Sequence, residues 1–276
     1  TCYELDLTDV VGQPMAKRAL EIAACGAHNL LFTGPAGTGK SMLAQRLTTI
    51  LPPMTDEEAL ETAAIQSICG HDINPTTWKN RPFRTPHHTC SGVALVGGGS
   101  NPRPGEISLS HNGVLFLDEL PEFDRKVLDV LREPLETGKV TISRASRQAE
   151  FPARFQLIGA MNPSPTGDYK DGRSSPDQVL RYLNRLSGPF LDRIDIQLEV
   201  PRLPKGTLTG DDPQRGESSE GVRQRGIYSR NVQLQRAGKP NALLSSREVD
   251  LFCPLSACDA MFLEDALEKL NLSTRA

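Results

Sequence analysis

The sequence predicts an α/β domain, with a buried parallel sheet wrapped by helices and a small helical piece after it. Two short apolar runs, residues 29–33 and 114–117, stop abruptly at glycine or at carboxylates, as the buried strands of a parallel sheet do. A glycine-rich loop and then a helical pattern follow the first run directly. From about residue 219 the pattern stays helical to the end.

Composition sets the outer bounds. The 276 residues suffice for one large domain, or one domain plus a smaller one, with a sizeable core. Hydrophobic residues at 38% and charged residues at 24% fit a soluble globular protein. A net charge of −3 provides no global basic field, so a nucleic-acid surface would have to be a local patch. The six cysteines (Cys2, Cys25, Cys69, Cys90, Cys253, Cys258) include no CxxC pair. They read as reduced thiols of a cytoplasmic protein rather than as a zinc or disulfide framework. No signal peptide and no apolar run of bilayer length appears, so no membrane role is expected. The ends, Thr1-Cys2-Tyr3 and Arg275-Ala276, read as cuts from something longer.

Taken in order, residues 6–13 form an extended entry to a helix over 14–25, with Pro14 in its first turn. The strand at 29–33 leads through the glycine-rich loop into a helix from Lys40 to about Leu51, closed by Pro52-Pro53. Residues 55–70 are helical. Residues 72–111, rich in Pro, Gly, His and Ser, form no long periodic element. The strand at 114–117 ends in Asp118-Glu119, and residues 125–135 read as one amphipathic helix. Residues 140–143 and 154–159 are two strands, either the arms of a hairpin or consecutive. A polar loop covers 164–177, and 194–200 alternates like a strand. Residues 201–218, rich in Pro, Gly, Ser and charge, are the linker expected before helices near 219–237, 246–252 and 256–270. No internal repeat is visible.

The chemistry lies at the strand ends. Gly34-Pro35-Ala36-Gly37-Thr38-Gly39-Lys40-Ser41 is a GxxxxGK[ST] loop. Its glycines let backbone N–H groups turn inward around phosphate oxygens, Lys40 reaches the β- and γ-phosphates, and Ser41 gives its hydroxyl to Mg²⁺. A strand before it and a helix after it make a chance glycine turn a poor alternative. Asp118 and Glu119 then suit a metal shell and the activation of water; alone, such a pair would be a solvated loop. Asn162, just past the strand 155–160, is placed either to orient the lytic water or simply to make a turn before Pro163. Arg185 and Arg193 suit transition-state stabilisation in a neighbouring subunit, while spacing alone favours ion pairs with Asp192 or Asp195.

With these residues in place, the chain resembles the AAA+ ATPases, in particular their magnesium-chelatase-like branch. Matching stretches include Val11-Gly12-Gln13, the phosphate loop, Arg81-Pro82-Phe83-Arg84-Thr85-Pro86-His87-His88, Pro104-Gly105-Glu106-Ile107-Ser108-Leu109, His111-Asn112-Gly113, Asp118-Glu119, Ala160-Met161-Asn162-Pro163 and Ser187-Gly188-Pro189-Phe190-Leu191-Asp192-Arg193. They run from about residue 6 to 200, and a weaker likeness reaches Arg275. The resemblance implies a three-layer α/β/α core at 1–200, the linker at 201–218 and a truncated helical lid at 219–276. ATP and Mg²⁺ are the implied cofactors, with Ser41 and Asp118 on the metal and Val11 and Gly12 beside the adenine. Asn162 becomes the sensor-1 residue, Arg193 the first-choice arginine finger with Arg185 second, and Arg275 the sensor-2 arginine. Relatives carry a Lon-protease-like domain before the ATPase, so this looks like an excised module. Many also carry several cysteines before the Tyr182-Leu183-Asn184-Arg185 segment. Here Asp168 to Ser175 has none, which leaves a metal or redox role of that loop without support.

The same resemblance makes 84–112 a helix-2 insertion and the hairpin near 139–156 a pre-sensor-1 hairpin, both facing the channel of a ring. Lys139, Arg144, Arg147 and Arg154 would track a phosphate backbone there, or would pair with Glu150 and its neighbours on a solvated hairpin. His87-His88 suits loop hydrogen bonding better than metal or DNA. The leading expectation is an ATP-driven motor, a homo-oligomeric, hexameric ring, that moves branched or single-stranded DNA and promotes branch migration in natural transformation. Its competitor is a chelatase-type ATPase subunit driving metal insertion through a partner protein. A non-enzymatic scaffold is the third reading, opposed by the intact Lys40, Ser41, Asp118 and Glu119.

Overall fold

The computed structural model describes residues 3–144, 147–168, 172–208 and 216–270. Helix α1 (Pro14–Gly26) starts on proline, whose fixed φ and missing N–H suit a first turn. Strand β1 (Leu30–Thr33) feeds the glycine loop, and α2 (Lys40–Ile50) begins directly after Gly39. Helix α3 (Asp56–Ile68) opens with a Thr55/Glu58 capping box and an acidic first turn, which satisfies free N–H groups and suits the helix dipole. The segment expected to lack long elements holds only short ones: β2 (Phe83–Arg84), α4 (Gly92–Val96), the paired β3 (Gly97–Gly98) and β4 (Arg103–Pro104), and α5 (Glu106–Leu109).

Strand β5 (Val114–Leu117) falls where its apolar run lies. The single helix expected over 125–135 is instead two, α6 (Arg125–Asp129) and α7 (Arg132–Thr137). Pro134 has no N–H to give the carbonyl of Val130, and its ring crowds that carbonyl, so the helix breaks there. The hairpin pairs β6 (Lys139–Arg144) antiparallel with β7 (Arg147–Pro152). Residues 154–159 are therefore not its second arm. They belong to β8 (Gln156–Met161), buried along its whole length in the central sheet. Helices α8 (Pro176–Leu183) and α9 (Gly188–Leu191) precede β9 (Ile196–Glu199), and α10 (Ser219–Ala237), α11 (Ser246–Phe252) and α12 (Ala257–Leu270) follow.

The central sheet has the order β2-β5-β8-β1-β9, and its four pairings are all parallel. Alternation along the strands splits the core in two. Leu30, Phe32, Val114, Phe116, Ile158 and Ala160 face α1, α2 and the Val222 side of α10. Leu31, Leu115, Leu117, Leu157 and Met161 face Leu95, Ile107, Leu128, Tyr182 and Phe190. Both faces being covered explains why the strands read as unbroken apolar runs. Helix α10 is docked on the core by polar contacts as well as by Val222. Ser219 Oγ accepts from the Leu7 N–H at 2.7 Å, and Arg230 donates to the carbonyls of Ala24 and Cys25. All the strands of the sheet run the same way, so their C-terminal ends gather at one edge, where loops can share a site.

Candidate active site

Gly34 leaves β1 by donating its N–H to the carbonyl of Met161 at 3.1 Å. A Cβ on Gly34 would stand 2.2 Å from the carbonyl oxygen of Val200, so only glycine lets the loop pass between the ends of β8 and β9. Gly37 and Gly39 take φ of +78° and +90°, the left-handed region that turns successive N–H groups the same way. Lys40, 8% exposed, donates from Nζ to the carbonyls of Gly34 at 2.6 Å and Pro35 at 2.8 Å, and to Asn162 Oδ1 at 3.3 Å. Burial pushes the Lys40 pKa down, and the Asp118 carboxylate opposes that shift. A buried ammonium whose hydrogen-bond acceptors are all neutral fits a polyphosphate, which supplies the missing negative charge.

Ser41 Oγ donates to Asp118 Oδ2 at 2.9 Å, which brings the two expected metal-side oxygens together at the start of α2. No cluster of three or more His, Cys, Asp or Glu suits a metal among the described residues. That donor set fits Mg²⁺, which takes one or two protein oxygens and fills its shell with phosphates and water. Glu119 follows in a left-handed conformation, φ +51°, with its N–H on Asp118 Oδ1 at 2.9 Å. This reversal sends the two neighbouring carboxylates in different directions, and leaves Glu119 exposed while Asp118 is half-buried.

Glu119 has a partner that sequence reasoning did not find: His88 Nδ1 lies 3.3 Å from its Oε2. His88 stacks at 4.1 Å on His87 and edge-on to Phe123, while His87 bonds Thr89. The cause is topological. Strand β2 pairs in parallel with β5, so the chains leaving both strands emerge side by side. His87-His88 stood out in the sequence, but nothing in it reveals this pairing. Tyr182 is a second such residue. It is buried beside the backbone of Asn162, and burial raises its pKa to about 12.

The loop holding Val11 and Gly12 is fixed by Gln13, whose Nε2 donates to the carbonyls of Pro201 at 2.8 Å and Thr38 at 3.5 Å. The loop therefore rests against the phosphate loop. Arg185 reaches Glu122 at 3.0 Å and the carbonyl of Pro121, so it stands on the Glu119 side of the sheet. Arg193 pairs with Glu136 of α7, and its carbonyl accepts from Asn29. Asn29 precedes β1 while the phosphate loop follows it, so Arg193 sits at the opposite end of the strand from Lys40. Of the two acidic partners that spacing favoured, Asp195 pairs with His28. Of the basic hairpin residues, Lys139 pairs with Glu150 and Arg154 with Glu61. The side chains of Arg144 and Arg147, and the whole of Arg275, lie outside the described residues.

Comparison with known proteins agrees with this geometry. Residues 6–208 match the family described as magnesium chelatase, subunit ChlI, and residues 216–276 match its C-terminal family. The chain is 62% identical over 276 residues to Competence protein ComM of Haemophilus influenzae, covering 99% of this chain and 54% of that protein. It is 56% identical over 273 residues to the uncharacterized protein YifB of Escherichia coli, covering 98% and 54%. A more distant relative, the magnesium-chelatase 67 kDa subunit of Chlorobaculum parvum, is 29% identical over 161 residues, 57% of this chain and 23% of that one. The chain thus spans about half the length of its nearer relatives here. No described helix is long and apolar enough to cross a membrane. With its parallel sheet, its phosphate loop and its Asp118-Glu119 strand end, the chain belongs to the magnesium-chelatase-like AAA+ family, among the ComM/YifB-like members.

Proposed function

We propose that the chain is the ATPase core of a DNA motor that hydrolyses ATP and promotes branch migration in recombination of incoming DNA during natural transformation. The observation that carries the ATPase half is the convergence of Lys40, Ser41, Asp118 and Asn162 through direct hydrogen bonds, with Glu119 beside them. Lys40 and the loop N–H groups hold the β- and γ-phosphates, and Asn162 orients the attacking water. Glu119 takes the proton from that water as its oxygen bonds the γ-phosphorus and the bond to the β–γ bridging oxygen breaks, with ADP as the leaving group. Ser41 and Asp118 would hold Mg²⁺, which would supply charge neutralisation to the phosphate oxygens when bound. On this reading residues 1–200 are the core, 201–218 the linker and 219–276 the helical lid region, with Arg275 as its sensor-2 arginine.

Arg193 is the finger, and it acts in trans. It stands at the far end of β1 from its own phosphate loop, so it serves a neighbour's site in a homo-oligomeric, hexameric ring. The DNA half rests on the 62% identity to a competence protein and on the basic hairpin. The Lys139–Glu150 pair is more than half exposed at both ends. Such a pair is worth about 1 kcal/mol or less, so a DNA phosphate can displace the glutamate. The chelatase-type reading is favoured by the match to the magnesium-chelatase families and by the 29% likeness to a magnesium-chelatase subunit.

The test measures ATP hydrolysis by the full-length protein with and without a four-way DNA junction, together with strand displacement. Stimulation and displacement are expected. If neither occurs, the motor reading falls and the chelatase-type reading takes its place.

A further inference from the structure

His111 is fully buried and joins three elements. Its Nδ1 accepts from the backbone N–H of Arg154 at 3.0 Å, and its Nε2 lies 2.8 Å from Glu61 Oε2 on α3. A nitrogen accepting from an amide carries no proton, so the ring is neutral and Nε2 is the donor to the carboxylate. Arg154 lies between the hairpin arm β7 and the core strand β8. Its carbonyl accepts from Asn112 N–H at 2.7 Å, and Gln156 N–H reaches Gly113 O at 2.9 Å. The hairpin root is therefore stitched to residues 111–113, and β5 with Asp118 and Glu119 begins at residue 114. One rung of this seam is a side chain, the imidazole of His111, where a strand pair would use a carbonyl. Glu61 fixes that ring from the other side and also reaches Asn112 Nδ2 at 3.4 Å and Arg154.

The rest of the hairpin is packed rather than free. Val140 and Ile142 are buried, and a Cβ on Gly97 would stand 2.9 Å from Ile142. The short Arg154 turn is the direct covalent and hydrogen-bonded route from the β7 arm to β8. We propose that His111 is a positioning residue that couples the β6–β7 hairpin to the strand end bearing Asp118 and Glu119, so that nucleotide at the site and the position of the hairpin are linked. Motion at either end shifts the Arg154 backbone, and the imidazole carries the shift because Glu61 prevents the ring from turning away. The link itself needs no DNA; the part of the reading that gives it a purpose is the motor proposal above.

The experiment is hydrogen exchange of the hairpin amides in the full-length protein, with and without a non-hydrolysable ATP analogue and Mg²⁺, and without DNA. The wild type should show a nucleotide-dependent change in hairpin exchange. His111→Phe keeps the ring's bulk and removes both bonds. It should reduce that change about ten-fold, the size of effect one buried hydrogen bond supports. Its analogue affinity should stay within about two-fold, because the phosphate loop is untouched. Glu61→Gln keeps an acceptor for Nε2 and should retain the change. Glu61→Leu removes that acceptor from the half-exposed side and should lose it, which gives a second route if His111→Phe fails to fold. An undiminished change in His111→Phe or Glu61→Leu overturns the proposal, as does a wild-type hairpin that ignores nucleotide. Absence of DNA-stimulated hydrolysis in the wild type would sink the motor reading and leave this result standing.

Discussion

Lys40 holds a buried positive charge against neutral oxygens, an arrangement that is costly until an anion arrives. Lys40→Ala should therefore abolish most nucleotide binding, by about a hundred-fold, while leaving the thermal midpoint unchanged or raised. Calorimetric titration and a melt check both parts, and a lowered midpoint would argue against the stored cost. Glu119→Gln should retain nucleotide and lose turnover by about a hundred-fold or more, the share a positioned base contributes. A variant still turning over near the wild-type rate would remove Glu119 as the base. His111 carries a pH prediction with a definite sign. Burial, the largest cause, pushes its pKa below the ordinary 6.5, with Arg154 adding to the effect and Glu61 and Glu58 opposing it. The unfolded chain then binds the extra proton first. Stability present above pH 6.5 is lost as the pH falls from there toward the depressed folded value. Urea midpoints at about pH 7.5 and about pH 5.5 should differ less in His111→Phe than in the wild type, and equal differences would count against this assignment.

The elements were legible where one local rule governed them. The run at 114–117 became a strand because both faces of a parallel sheet bury apolar side chains, and its boundaries matched. Helix α10 ended at Ala237, where Gly238 takes a left-handed cap. Two elements were misread for identifiable reasons. Apolar periodicity joined α6 to α7, but it does not register that Pro134 withholds an N–H. The two strands 140–143 and 154–159 looked like possible hairpin partners because pairing is not written in either strand alone. The alternating β7 arm, Arg-Gln-Ala-Glu-Phe-Pro, was hidden by its polar residues. The phosphate loop also carries an element-scale prediction. Gly34→Ala puts a Cβ against the carbonyl of Val200 and should cost about 1–3 kcal/mol, read from urea unfolding, with nucleotide affinity falling alongside. An unchanged midpoint would mean that the end of β9 gives way easily.

At the scale of the molecule, the parallel sheet separates two chemistries. The C-terminal ends of its strands hold Lys40, Asp118, Glu119 and Asn162, while Arg193 stands by the start of β1. If Arg193 serves as the finger of a neighbouring site, complementation is expected. Mixing Lys40→Ala chains, which keep the finger, with Arg193→Ala chains, which keep the loop, should recover ATPase activity above either alone, because some interfaces then combine an intact loop with an intact arginine. No recovery would sink the trans assignment. If Arg185→Ala abolished hydrolysis and Arg193→Ala did not, the finger would move to Arg185, which lies by Glu122 on the Glu119 side.

By itself, the sequence determined the α/β class, the phosphate loop, the carboxylate pair and the family, because each is written in contiguous residues whose spacing is their chemistry. Only the tertiary structure decided that Asn162 meets Lys40, that His88 meets Glu119, and that His111 joins Arg154 to Glu61. These contacts bridge strands and loops far apart in the chain. They exist because β2, β5, β8 and β1 lie side by side in parallel register, an order that no local pattern encodes.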